Sequence, residues 1–157
     1  MLNPLTFSRG LVIGKFYPPH QGHKYLIDTA TYACEKLTVV VFWKETDSIL
    51  GAQRAEWIKQ IHPEVEVLLA EDVDKSQHSF TRWAEFTIDL LGYAPDAVFS
   101  SESYGEAYAA HMGARHVLVD KEREQIPISA TMVRDDPHSY LAFLEPCVRE
   151  YFLRINT

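Results

Sequence analysis

Five apolar runs, each bounded by turn residues, set the hydrophobic pattern of the chain: LVIG at 11–14, LTVVVFW at 37–43, VEVLLA at 65–70, DAVFSS at 96–101 and HVLVD at 116–120. They are nearly continuous in Val, Ile, Leu and Phe rather than alternating, which is the pattern of strands covered on both faces, as in a parallel sheet. Between them apolar positions recur at helical spacing. Segment 22–36 (GHKYLIDTATYACEK) aligns Tyr25, Leu26, Thr29 and Ala33, and segment 52–61 (AQRAEWIKQI) aligns Ala55, Ile58 and Ile61. Segments 80–92 and 104–113 close on Gly92 and Gly113, a common residue just past a helix end.

Strand and helix alternate through most of the chain. That order predicts an α/β, Rossmann-like, doubly wound, mostly parallel five-stranded sheet with helices on both faces and right-handed crossovers. A ligand is then expected at the carboxyl ends of the strands. After PISATMVR the pattern changes, and HSYLAFL and PCVREYFLRI predict a short C-terminal helical segment of two amphipathic helices. Pro137 and Pro146 stand near their starts, and Leu141, Phe143, Leu144, Val148 and Phe152 are expected to pack onto the domain. With 157 residues and no internal repeat or linker, the chain reads as one domain, 1–157.

Composition narrows the function. A chain that is 46% hydrophobic and 24% charged is that of a globular protein, and no apolar run approaches the ~20 residues of a membrane span. The start, MLNPLTFSRG, lacks the basic-then-apolar order of a secretory signal, so a cytoplasmic location without a membrane partner is expected. Cys34 and Cys147 are far apart and read as buried free thiols. A formal net charge of -7 argues against nonspecific binding to nucleic acid, so any phosphate chemistry must occupy a small local pocket. Nothing in the sequence bears on self-association, and a homo-oligomer stays open.

One stretch concentrates candidate chemistry: GKFYPPHQGHKYLI, from Gly14, where the first strand runs into the first helix. Pro18 and Pro19 stiffen the connection, and Gly22 permits close approach. A helix starting near Gln21 aims unsatisfied N–H groups and its positive dipole end at any anion. His20 just before it and His23 in its first turn can both donate hydrogen bonds into the same space, and Lys15 adds a positive charge. A zinc site would need further ligands, and His62, His78, His111, His116 and His138 are scattered without a second paired motif. A plain helix start accounts for either histidine alone but not for the whole set, and an anion grip accounts for more of it.

Gly14, Phe16, Pro18, His20, Gly22 and His23 spell Gly-x-Phe-x-Pro-x-His-x-Gly-His, which resembles the signature of the nucleotidyltransferase superfamily that includes the adenylyltransferases of NAD and coenzyme A synthesis and some cytidylyltransferases. No G-x-x-x-x-G-K-[ST] phosphate loop occurs in the chain. A second element, PISATMVR, matches the superfamily's other phosphate motif through Ile128, Ser129, Thr131 and Arg134. Its form, together with VFSSESYGEAYAAHMGARHVLVDKERE and REYF, is most similar to nicotinamide-nucleotide adenylyltransferases, in particular the transferase domain of NadR-type proteins. The kinase and DNA-binding domains that such proteins can carry do not fit in this length.

The resemblance implies roles position by position. The reaction would be attack of a pyridine mononucleotide's phosphate on the α-phosphorus of ATP, releasing pyrophosphate, with Mg2+ bridging the phosphates and holding few protein ligands. His20, His23 and Lys15 would serve the α- and β-phosphates, and Ser129, Thr131 and Arg134 the β- and γ-phosphates. Gly14, Phe16, Gly22, Ser100 and Ser101 would complete the ATP site. Tyr17, Arg54 and Trp83 would meet the mononucleotide, Arg54 at its phosphate and Trp83 stacked on its ring. Asp120 and Arg123 match a family feature more loosely, and Asp47, Asp72 and Asp74 stand outside the assigned set as candidates for orienting an amide or ribose. Read without the resemblance, Arg54 is a solvated helix residue, Trp83 a core residue and Ser100 and Ser101 a strand-end turn. A phosphopantetheine adenylyltransferase and a noncatalytic nucleotide sensor are the rival readings.

Overall fold

The first strand is longer than its apolar kernel. β1 spans Phe7–Gly14 and lies in the middle of the sheet, hydrogen-bonded to β2 on one side and β4 on the other. The computed structural model describes residues 2–72, 80–102 and 105–155. Within them the order is β1, α1 (Gln21–Ala33), β2 (Cys34–Trp43), α2 (Gly51–Ile61), β3 (Glu66–Glu71), α3 (Phe80–Leu91), β4 (Ala97–Ser100), α4 (Gly105–His111), β5 (Arg115–Leu118), α5 (Ala130–Asp135) and α6 (Pro146–Ile155). A 3-10 stretch, Pro137–Phe143, links the last two helices. The five strands run in the order β3-β2-β1-β4-β5, and every pairing is parallel.

The unbroken apolar runs have the cause their pattern implies, because successive strand residues bury on opposite faces. Val12, Val39, Val41 and Phe99 pack with Leu26, Ile27 and Ala30 of α1 and Ile58 of α2. Leu11, Ile13, Val40 and Val98 pack with Ala84 of α3 and Tyr108 and Ala109 of α4. A fully buried Val or Leu contributes roughly 1.5–3 kcal/mol, and Leu11, Val12, Val39, Val40 and Val41 are all at 0% exposure. The Thr87 and Tyr108 hydroxyls, both buried, bond to each other and join α3 to α4. Gly92 and Gly113 follow α3 and α4 with φ of 83° and 71°, the left-handed helix stop expected of them.

Three local expectations give way to packing. Helix α1 stops at Ala33 rather than continuing to 36, because Cys34 and Lys36 pair with Phe7 and Arg9 of β1 and draw the chain into the sheet. In α2 the buried residues are Gly51, Arg54, Trp57 and Ile58, so the helix is rotated from the face that Ala55, Ile58 and Ile61 implied. The segment HSYLAFL is 3-10, with a non-helical break at Tyr140, rather than an amphipathic α-helix. Seven residues confined between Pro137 and Pro146 are too few to offset the cost of an α-helical nucleus. Its apolar side chains still join a third cluster, where Leu144, Val148 and Phe152 meet Ile49, Trp57 and Ile128.

Candidate active site

Strand order reverses between β1 and β4, so the connections leaving them diverge and open a crevice at their carboxyl ends. A cleft of about 260 Å³ lies there. The end of β1 supplies Gly14, α1 supplies Gly22 and His23, β4 supplies Ser100, and the segment after β5 supplies Asp120 and Arg123. Phe16, His20, Ser101, Ser129 and Thr131 also line it, so nine of the assigned residues converge on one space.

The two histidines cap α1 reciprocally. His20 is the N-cap with extended backbone, and its Nδ1 accepts from the N–H of Gly22 at 3.0 Å and of His23 at 3.3 Å. The N–H of His20 in turn donates to Nδ1 of His23 at 3.2 Å. This is a capping box in which imidazole nitrogens take the part usually played by a hydroxyl and a carboxylate. Each Nδ1 lone pair is therefore committed, which places the ring proton on Nε2. Burial and the Arg123 guanidinium push His20 down from 6.5 to about 4. Burial, His20 and Arg123 push His23 well below its ordinary value. At neutral pH the pair is uncharged, stacked with ring centroids 3.8 Å apart, and offers two fixed Nε2–H donors.

Gly22 is required by this arrangement, because a Cβ there would lie 2.7 Å from Cε1 and 2.9 Å from Nδ1 of His20. The close approach that glycine permits is thus to the imidazole. Phe16, 1% exposed and with a left-handed φ of 51°, sets its ring edge-on to His23 at 4.8 Å. It supports the donor from behind.

Ser129 faces the histidines as N-cap of α5, where its Oγ accepts from the Met132 N–H at 3.2 Å and keeps its own hydrogen to donate. Ser100 is held by His116, with Oγ to Nε2 at 2.7 Å, and donates to the Glu102 carbonyl at 3.0 Å. Two cleft residues that the motifs assigned only loosely are well placed. Arg123 donates to the Ile128 carbonyl at 2.7 Å and lies 3.9 Å from a Glu102 carboxylate oxygen. Asp120 accepts from the Gln125 and Ile126 N–H groups at 3.0 Å each, and these bonds hold its carboxyl below its usual range. Both have positive φ, 49° at Asp120 and 53° at Arg123, so this loop holds a backbone that ordinary residues rarely adopt. Glu102 was missed outright; its sequence neighbourhood carries no signal beyond its position after a strand.

The other assigned residues lie outside this cleft. Lys15 is exposed, and its carbonyl accepts from Arg54. Arg134, also exposed, donates to the Tyr17 carbonyl at 2.6 Å and to Thr131 Oγ1 at 3.4 Å. Tyr17 bonds through its hydroxyl to Ser48, at 2.7 Å from both Oγ and N. Arg54, expected at a phosphate, is 0% exposed, and four of its five N–H donors are bonded within the protein. Its guanidinium donates to the carbonyls of Ile49 (3.0 Å), Lys15 (2.7 Å) and Phe42 (3.2 Å) and pairs with Asp47 at 2.5 Å. It braces the ends of β1 and β2, and Asp47 is its counterion.

Trp83 stands in a separate cleft of about 320 Å³ beside the ends of β2 and β3, with Phe42, Glu71, Asp72, Arg82 and Phe86. Its ring is parallel to Phe42 at 5.4 Å and edge-on to Tyr108 at 6.0 Å. Asp74 and His78 lie outside the described residues. Among the described residues no group of three or more His, Cys, Asp or Glu could hold a metal ion, and no helix is long and apolar enough to cross a membrane.

No protein-family model matches the chain. It is 28% identical, over 92% of its own length, to the trifunctional NAD biosynthesis/regulator protein NadR of Escherichia coli (strain K12), and spans 40% of that protein. The NadR protein of Salmonella typhimurium (strain LT2) is matched to the same extent, 28% over 92% of the chain and 40% of the relative. Among solved structures, a NadR protein in complex with NAD and AMP-PNP superposes with a TM-score of 0.62 at 20% identity, over 90% of this chain and 46% of the other. A bifunctional NMN adenylyltransferase/ADP ribose pyrophosphatase from Francisella tularensis, complexed with AMP and a manganese ion, gives 0.62 at 18% identity, over 88% of this chain and 43% of the other. The chain thus spans less than half the length of each of these four relatives. The resemblance to NadR-type proteins, read from the two motifs together with segment 98–124 and REYF, extends over 92% of the chain.

Proposed function

We propose that the chain is an adenylyltransferase that joins ATP to a pyridine mononucleotide, forming a dinucleotide and pyrophosphate. The observation that carries this reading is the pair of neutral imidazoles, fixed by their own capping bonds as Nε2–H donors, in a cleft at the strand-order reversal. The attacking phosphate oxygen is already an anion and needs no general base. What the reaction needs is two phosphates held in line and donors aimed at the charge that accumulates on the α-phosphoryl oxygens.

His20 and His23 meet that need without a proton transfer, since neither has to titrate. Ser129 and Thr131 at the start of α5, with Arg134 at its rim, suit the β- and γ-phosphates, and Ser100 and Ser101 close the side toward the nucleoside. Lys15 and Arg54 contribute less directly, Lys15 through its backbone and Arg54 by bracing the strand ends. Beside the Asp120 and Glu102 carboxylates, the cleft offers phosphate oxygens the two Nε2–H groups, the Ser129 and Thr131 hydroxyls and the Arg123 guanidinium. Mg2+ held by the triphosphate, with few protein ligands, would supply screening of its charge. The Trp83 cleft, lined by aromatic rings and by charged residues including Glu71, Asp72 and Arg82, is assigned to the pyridine nucleoside.

The test is incubation of the chain with MgATP and, separately, nicotinamide mononucleotide, nicotinate mononucleotide and phosphopantetheine, with the products identified by mass. A dinucleotide and pyrophosphate from either pyridine substrate support the proposal. Pyrophosphate release with neither, or adenylation of phosphopantetheine alone, overturns it.

A further inference from the structure

Arg134 and Tyr17 of the first motif are 117 positions apart in sequence, yet Arg134 donates to the Tyr17 carbonyl at 2.6 Å. Its guanidinium carbon also lies 4.6 Å from the centroid of the Tyr17 ring. A second guanidinium, that of Arg54, lies 5.0 Å from the same centroid. Two cations at one ring would repel, but Asp47 counters the charge of Arg54, so both guanidinium groups can sit against the ring. The ring cannot turn away, because Ser48 holds its hydroxyl from both Oγ and N.

We propose that Tyr17 is a positioning residue: it holds the Arg134 guanidinium at the mouth of the cleft through its carbonyl and ring, and Arg54 and Ser48 hold Tyr17. This rests on the reading above that Arg134 grips the terminal phosphates of ATP. An exposed arginine has several rotamers, and fixing it before the nucleotide arrives removes part of the ordering cost from binding. It also reassigns Tyr17 from the mononucleotide to the ATP side. The single bond to the first motif ties α5 to the loop that carries His20, so the two phosphate grips keep a fixed separation.

The experiment measures MgATP affinity by calorimetry on the full chain, for the unmodified protein, Tyr17→Leu, Tyr17→Phe, Arg134→Ala and the Tyr17→Leu/Arg134→Ala double variant. Melting curves accompany each, and Tyr17→Met replaces Tyr17→Leu if that chain does not melt cooperatively. Tyr17→Leu should weaken MgATP roughly fivefold, the worth of one cation–π contact with its orienting effect, while Tyr17→Phe stays within about twofold. The double variant should bind no more weakly than Arg134→Ala alone, because Tyr17 acts through Arg134. Multiplying losses in the double variant, or weakening by Tyr17→Leu confined to the mononucleotide, overturns the relay and leaves the proposed function standing. Absence of MgATP binding by the unmodified chain overturns both.

Discussion

Protonating His20 should cost stability, and the amount follows from its burial. The ring is 4% exposed, and its Nδ1 accepts two backbone N–H groups, a role only the neutral tautomer can fill. In the unfolded chain the group titrates near 6.5; in the folded chain burial and Arg123 bring it to about 4. A depressed value means that the folded state resists the proton. The associated stability is complete above 6.5 and is lost as pH falls from there toward 4. At pH 5 that loss is about 2 kcal/mol from His20 alone, and the lowered His23 adds to it with the same sign. The control is His20→Asn, since asparagine also caps a helix but does not titrate in this range. Urea denaturation of both chains at pH 7 and pH 5 should show the unmodified protein losing about 2 kcal/mol more than the variant. His62, His116 and the carboxylates are common to both and drop out of the difference. Equal losses would refute the capping role of the ring.

Four further outcomes follow from the same geometry. His23→Ala should lower turnover by roughly 100-fold or more with little change in substrate affinity, and steady-state kinetics near the unmodified rate would remove it from the reaction. Gly22→Ala puts a Cβ 2.7 Å from the His20 ring, so the cap must open at a cost of about 1 kcal/mol, seen in calorimetry as a melting point lower by about 2–4 °C. Arg54→Met leaves Asp47, with 13% of its side chain exposed, without its cation and should destabilise by roughly 3–5 kcal/mol; adding Asp47→Asn should restore part of this in denaturation curves. Trp83→Ala should weaken the mononucleotide about tenfold while MgATP affinity is unchanged, and titration with each ligand separates the two.

The strands were legible because a sheet covered on both faces demands unbroken apolar sequence, and Val39, Val40 and Val41 illustrate it by burying completely on alternating sides. Arg54 was not legible for the opposite reason. An arginine in a helix reads as solvent-facing, and helical periodicity does not say that the carbonyls of Lys15, Phe42 and Ile49 and the Asp47 carboxylate will enclose it. Its burial then rotates α2 and misplaces the rest of that face. Arg123, Asp120 and Glu102 were faint because they reach the cleft from loops, where no periodicity exists to betray them.

The histidines fall between these cases. Their spacing marked a helix start and two donors, but which nitrogen carries each proton depends on hydrogen bonds that only the folded backbone provides. That detail changes the character of the site. With both imidazoles neutral and Glu102 and Asp120 in the same cleft, its positive charge rests on Arg123, with Arg134 at the rim. A chain of net charge -7 would then recognise an anion through directional donors and a dipole, with few charges. Short hydrogen bonds inside a cleft are screened little by salt, whereas long-range attraction between exposed charges fades within about 10 Å at 0.1 M. MgATP affinity should accordingly fall less than about threefold between 0.05 and 0.3 M KCl, and a steep loss over that range would return the grip to exposed cations such as Lys15.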